Sequence, residues 1–306
     1  MKLSEKRFKE EIKKNSDYFK ERYLSNPNFF TFKDKNEIHS SDEYYIKDEY
    51  LKEWANEISN FYDEAKNQNL YNDLLERRGG QYSNGTLHSS SRMVAELFRN
   101  KTNRIKLFKA LNLPLDLQGK WYLEYRLPIF DDNTSHPAQM DLVFISDDDT
   151  CCIFVEAKMK EIYKNNYYND FDSNSEYEEI LKKDLKLDKS FNFEHINSKN
   201  KFRLIPKNEK YQQNNNFYFK QQICHILGIR NKIQNDINIG NKKRKYIFLN
   251  LVFDISKIKG YEEYKDRNQQ YIENERYIMN ELSECIQKSN IEYKGLITQK
   301  LDKLIK

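Results

Sequence analysis

Met140-Asp141, fourteen intervening residues, and then Glu156-Ala157-Lys158 put two acids and an amine on short runs of β-forming residues. Side chains alternate along a strand, so Glu156 and Lys158 emerge on one side and Ala157 on the other. Asp147-Asp148-Asp149-Thr150 separates the run over 139–145 from the run over 152–158. The two therefore read as a hairpin that brings Asp141 beside Glu156. Neighbouring carboxylates repel, and a hard divalent cation with oxygen ligands relieves that repulsion. Mg²⁺ suits a site with one or two carboxylates, a backbone carbonyl and several waters. A lysine two positions on can hold or deprotonate a water, or neutralise charge that develops on a phosphorane-like transition state. Together these groups would hydrolyse a phosphodiester. The plainer alternative is a solvated Glu–Lys pair on an exposed strand face. Ile153, Phe154 and Val155 precede the acid, however, which puts it at the end of a core strand, where an unpartnered carboxylate is costly.

These residues need elements to hold them. Phe8, Ile12, Tyr18, Phe19 and Tyr23, and then Tyr50, Leu51, Trp54, Ile58 and Phe61, fit amphipathic helices in the first 80 residues. Asn26-Pro27-Asn28 punctuates that region, and Arg78-Gly79-Gly80 is expected to end a helix. Ser89-Ser90-Ser91 offers N-caps to an apolar stripe through Met93, Val94, Leu97, Phe98, Ile105, Leu107, Phe108 and Leu111, read as one long or broken helix over 90–111. Runs over 121–127, 139–145 and 152–158 form a three-strand meander. Residues 160–215 are polar and weakly periodic, an insertion with an acidic helix candidate over 177–187. A helix from Phe217 is stopped by Gly228, and Tyr246–Phe253 is a fully buried strand. The rest, from about Tyr261, reads as two charged amphipathic helices. This gives a helical N-terminal extension over 1–87, a core over 88–260, and C-terminal helices over 261–306.

Residues 88–254 resemble the PD-(D/E)XK, or restriction-endonuclease-like, nuclease superfamily. The resemblance rests on Asp141, Glu156-Ala157-Lys158, the preceding helix from Ser90 to Phe98, and the following helix with Gln221-Gln222. Met140 stands where the superfamily usually has proline. The resemblance implies an α/β, restriction-endonuclease-like core in the order helix, three-strand meander, helix, strand. It implies that Asp141 and Glu156 bind Mg²⁺, with Mn²⁺ as a substitute, that Lys158 orients the attacking water, and that a glutamine of the crossover helix assists. Adjacent helical positions lie about 100° apart, so one glutamine faces the site. Gln222, bordering the side marked by Ile223, Ile226 and Leu227, is favoured over Gln221. Glu96 is either a third carboxylate or a solvated helix glutamate. His225 is read as a core-edge histidine without a role, and His88 and His136 as loop residues. The activity implied is a Mg²⁺-dependent endonuclease acting on DNA in restriction or defence, as a homodimer where both strands are cut. The alternatives are a non-catalytic nucleic-acid-binding module with a degenerate nuclease core, and an adaptor that uses its helical termini.

Charge bears on the partner through its distribution. The chain has 306 residues, with 52 Lys and Arg against 48 Asp and Glu, so its net charge of +4 says little by itself. From Lys199 to Lys245 there are twelve basic residues against two acidic ones, whereas Glu161 to Asp188 holds eight acids and four bases; the molecule is polarised beside the proposed site. The basic tract, ending in Lys242, Lys243, Arg244 and Lys245, suits phosphate contacts, and its aromatics suit base stacking. Codon-driven lysine on a solvated surface explains the same tract equally well. The 22 Tyr and 19 Phe argue for a folded core despite 33% charged residues. Mean hydropathy is −0.97, and no apolar run approaches the roughly 20 residues that span a bilayer, so no membrane span is expected. The amino-terminal residues lack an apolar signal region, and a cytoplasmic location is the expectation. Cys151, Cys152, Cys224 and Cys285 form no CxxC pair, so neither a disulfide framework nor a structural zinc is expected.

Overall fold

The computed structural model describes residues 30–32, 44–46, 48–64, 69–75, 77–78, 81–82, 90–129, 137–158, 170–172, 175–196, 200–212, 219–238, 244–254, 265–282 and 291–297. The longer helices and the main strands, in chain order, are α1 (Asp48–Phe61), α2 (Ser90–Arg99), α3 (Lys101–Ala110), β1 (Gly119–Leu127), β2 (Ala138–Ser146) and β3 (Cys151–Lys158). Then follow β4 (Asp170–Asp172), β5 (Phe191–Ile196), β6 (Lys201–Pro206), α4 (Phe219–Asn238), β7 (Lys245–Val252), α5 (Lys265–Glu281) and β8 (Ile291–Ile297). The protein is mixed α/β. No helix among the described residues is long and apolar enough to cross a membrane.

An apolar run without alternation is what a strand covered on both faces requires, and Cys151-Cys152-Ile153-Phe154-Val155 occupies the middle of the main sheet. That sheet has the order β8-β7-β3-β2-β1. β3 runs parallel to β7 and antiparallel to β2, β2 is antiparallel to β1, and β7 is parallel to β8. All eight residues of β3 are buried, Glu156 and Lys158 included. The expected meander is present, and so is the order helix, three strands, helix, strand. Its hairpin turn is built from the acidic tetrad. Asp148 Oδ1 accepts from the Thr150 amide at 3.1 Å and from its hydroxyl at 2.8 Å, Asp149 takes a left-handed φ of 58°, and Ser146 Oγ accepts from Cys151 N at 2.9 Å.

The stripe over 90–111 is a broken helix. Asn100 ends α2 and caps α3, its side chain accepting from Thr102 N at 2.8 Å, while Asn103 Nδ2 donates to the otherwise orphaned Leu97 carbonyl at 2.8 Å. Phe98 and Phe108 then stack on Trp121, and Phe108 meets Phe144, fixing both helices on β1 and β2. α1 carries the stripe through Trp54 and Ile58 as expected, while the expected helix through Phe8 and Tyr23 lies outside the described residues.

Four expectations need correction. The helix expected to end at Arg78-Gly79-Gly80 ends earlier, at Leu74, and Arg77–Arg78 then pair with Gln81–Tyr82 as a small antiparallel ribbon. The polar insertion holds a three-stranded antiparallel sheet, β4-β6-β5, because Phe171, Phe191, Phe193, Phe202 and Leu204 give it an apolar centre that its polar composition concealed. The acidic helix expected within it is present, an α-helical turn over Ser175–Glu179 that runs into a π-helical turn over Ile180–Asp184. The C-terminal region holds one helix in the described residues, followed by β8, which pairs with β7 and extends the core sheet.

The fourth concerns Gly228, which lies inside α4 and does not stop it. A Cβ there would meet Leu127 Cβ at 2.7 Å and Ala138 Cβ at 3.3 Å, so glycine lets the helix lie close against β1 and β2. Gly228→Ala is therefore expected to destabilise the protein by about 1–3 kcal/mol in urea denaturation, the usual cost of overpacking. An exposed helical glycine would instead gain about 1 kcal/mol from the same change, and a gain would show that α4 is not pressed onto these strands.

Candidate active site

Four elements meet where β2 and β3 separate. Their ladder runs to Leu142↔Val155, and one residue further the Asp141 carboxylate takes over: its Oδ2 accepts from the Ala157 amide at 2.7 Å. Oδ1 accepts from the Ser91 hydroxyl, on the first turn of α2, at 2.5 Å. On β3, Lys158 Nζ forms a buried ion pair with Glu156 Oε1 and donates to Gln221 Oε1 at 2.7 Å. Gln221 Nε2 in turn donates to Glu156 Oε1 at 2.8 Å. The structure thus brings Asp141, Glu156, Lys158 and Gln221 together. Ser91 and Gln221 belong to the first turns of α2 and α4, so both helices direct their positive ends at the acids.

The electrostatics follow from burial. Asp141 is 8% exposed, and Glu156 and Lys158 are each 3% exposed. Burial and the Glu156 charge push the Asp141 carboxyl well up from its ordinary value, and Lys158, Ser91 and the Ala157 amide oppose this only in part. One ammonium would not neutralise both carboxylates if they were ionised together, so burial favours a proton on the pair, and a divalent cation could take that proton's place. Among the described residues, no group of three or more His, Cys, Asp or Glu could hold a metal ion. A protein cage of the zinc or calcium kind is therefore not offered here. Two oxygen-donor carboxylates, with water completing the shell, fit Mg²⁺, which keeps several waters.

The other candidate residues lie elsewhere. Gln222, favoured from the sequence, is fully buried, and neither atom of its side-chain amide has a hydrogen-bond partner among the described residues; its neighbour Gln221 makes the contacts. The side chain that reaches Lys158 and Glu156 comes from the half-buried border of α4, while Gln222 points into its fully buried side. Glu96 is not solvated: it is buried, and its Oε1 accepts from Trp54 Nε1 at 2.8 Å. Lys242 and Lys243 lie outside the described residues. Arg244 is no phosphate ligand in this arrangement, since it is buried between Asp236, at 2.7 Å, and Asp149. Lys245 pairs with Glu292 at 2.6 Å.

Three features escaped the sequence reading. Ser91 reads in the sequence as one of several capping hydroxyls, and the structure puts its hydroxyl on Asp141. His225, given no role, is buried one turn after Gln221 with Nε2 at 3.7 Å from Glu156 Oε2, and burial together with Lys158 pushes it down to about 3, so the ring is neutral. Its spacing of four from Gln221 was the available signal. Asn250 lies opposite Glu156 in the ladder and donates to the fully buried Glu275 of α5. No local pattern announces that contact.

Burial pushes the Glu275 carboxyl up to about 7, against the opposing pull of Tyr293, Asn250, Lys158 and Arg276. The folded protein therefore keeps a proton that an unfolded glutamate, with an ordinary value of 4.5, has already lost. This contribution to stability is complete below about 4.5 and disappears as pH rises through about 7. Asp141 acts in the same direction. The melting temperature is expected to fall across this window, and Glu275→Gln to flatten the fall; a Tm that rises from pH 5 to pH 7 and does so equally in the variant would contradict it. Comparison of the chain with protein-family models, curated proteins and solved structures found no match.

Proposed function

We propose that the protein is a metal-dependent phosphodiesterase, a Mg²⁺-requiring endonuclease acting on DNA, with a restriction-endonuclease-like core. The observation that carries this reading is the buried network in which Lys158 and Gln221 converge on Glu156 while Asp141 is held at the neighbouring strand end. Asp141 and Glu156 would hold the cation. When bound, it would supply Lewis-acid stabilisation of charge on the phosphoryl oxygens and a more acidic water. Ser91 and the Ala157 amide fix the Asp141 carboxylate, so that it is oriented before substrate arrives. Lys158 holds and orients the attacking water, and Gln221 keeps the lysine ammonium aligned with Glu156. The buried setting strengthens each of these interactions by excluding bulk water. The sequence order helix, three strands, helix, strand supports the same reading.

DNA is the favoured substrate through the superfamily resemblance, and cutting both strands would call for a second copy of the chain. The terminal basic cluster gives this little support, because Arg244 and Lys245 are spent on acids of the protein itself.

Purified protein is expected to cleave plasmid or single-stranded DNA with Mg²⁺ and to stop with EDTA. Asp141→Ala and Lys158→Ala should each lower the rate at least about 100-fold, in the range of lost general acid–base or electrostatic groups. Gln221→Ala should slow cleavage by more than Gln222→Ala does at equal folded fraction. Wild-type protein that cuts no DNA or RNA under any divalent cation would end the enzymatic reading. Salt-sensitive DNA binding in that case would leave the non-catalytic module.

A further inference from the structure

His225 lies against the centre from the same helix face as Gln221. Gln221 Nε2 holds Glu156 Oε1 at 2.8 Å, and His225 Nε2 stands 3.7 Å from Glu156 Oε2, so α4 faces both oxygens of one carboxylate. The His225 ring is buried at this strand end, beyond the last β2–β3 pair, Leu142↔Val155. It is itself fixed edge-on to Phe248 of β7, with ring centroids 5.9 Å apart at 90°. One imidazole is therefore held between Phe248 of β7 and Glu156 of β3.

We infer that His225 is a positioning residue that sets the orientation of the Glu156 carboxylate, and its spacing from Asp141, for a divalent cation. This rests on the metal-dependent reading above. Glu156 has a flexible side chain on a strand end where backbone pairing to β2 has stopped, so its two oxygens need lateral constraint to present a fixed geometry. Gln221 and Lys158 supply it on one oxygen, and His225 Nε2, 3.7 Å from the other, is the group placed to donate to it as the carboxylate tightens around a cation. Groups that orient a metal-binding carboxylate in this way typically change metal affinity 10–100-fold when removed.

The test is Mn²⁺ binding to the full-length protein without nucleic acid, by isothermal titration calorimetry, with cleavage rates measured alongside. His225→Phe keeps the ring volume and the contact with Phe248 but removes the nitrogens. It is expected to weaken Mn²⁺ binding about tenfold or more, with Tm in EDTA close to that of the wild type and KM for DNA unchanged. His225→Gln, whose amide restores a polar group toward Glu156, should recover most of the loss, which a purely space-filling role would not produce. Should the phenylalanine variant fail to fold, His225→Asn, too short to reach Glu156, is expected to show the same weakening. Wild-type affinity in a folded His225→Phe or His225→Asn overturns the inference while leaving the hydrolase reading intact. Absence of Mn²⁺ binding by the wild type overturns both.

Discussion

Burying a carboxylate is among the most expensive things a protein does, and here two of them, Asp141 and Glu156, are buried beside one ammonium at the end of the central strand. Removing one partner of such a pair typically costs about 3–5 kcal/mol, because the charge left behind has lost both water and counter-charge. Much of the surrounding architecture follows from that constraint. α2 brings Ser91, α4 brings Gln221, and the β3 backbone offers the Ala157 amide, so three separate elements donate hydrogen bonds to the two acids. The site is therefore part of what joins the helices to the sheet.

The sheet continues this logic on its other side. Along one row, Glu156 of β3 pairs with Asn250 of β7, which pairs with Gly295 of β8. Asn250 reaches Glu275 of α5, and a Cβ at Gly295 would stand 3.5 Å from Glu275 Oε2. The C-terminal helix and strand thus place a third buried carboxyl one strand from the candidate site. The backbone carries a cost here as well. Glu124 and Asp141 drop out of the ladder between Leu123↔Leu142 and Tyr125↔Met140, and Glu124 has a φ of 51°. A left-handed conformation at a residue with a side chain costs roughly 1–2 kcal/mol. The departure from regular pairing falls at the level of the candidate acid.

Surface charge plays a smaller part than its abundance suggests. Within the basic tract, Arg203 pairs with Asp170, Lys232 and Arg244 with Asp236, and Lys207 donates to the Asp188 carbonyl. Much of the cationic excess is thus committed internally. Lys220 donates to the Asp170 carbonyl and lies over the Phe171 ring, which ties the insertion's sheet to α4 one residue from Gln221.

The amino-acid sequence by itself determined the elements whose signals are local. Period-two and unbroken apolar runs marked β1, β2, β3 and β7, the acidic tetrad marked the hairpin, and strand alternation put Glu156 and Lys158 on one side. Because a hairpin brings neighbouring segments together, the meeting of Asp141 with β3 was legible too. Tertiary structure decided whatever depends on contacts between distant segments. The choice of Gln221 over Gln222 is a rotation of α4 about its axis, set by where Gly228 lets it approach β1 and β2. β8 is a strand because β7 offers it a free edge, which no pattern within 291–297 reveals. The pairing of Glu96 with Trp54, of Arg244 with Asp236, and of Asn250 with Glu275 depends on which buried polar groups packing leaves within reach of one another. A linear pattern carries the periodicity of a segment but not the neighbours that its faces will meet.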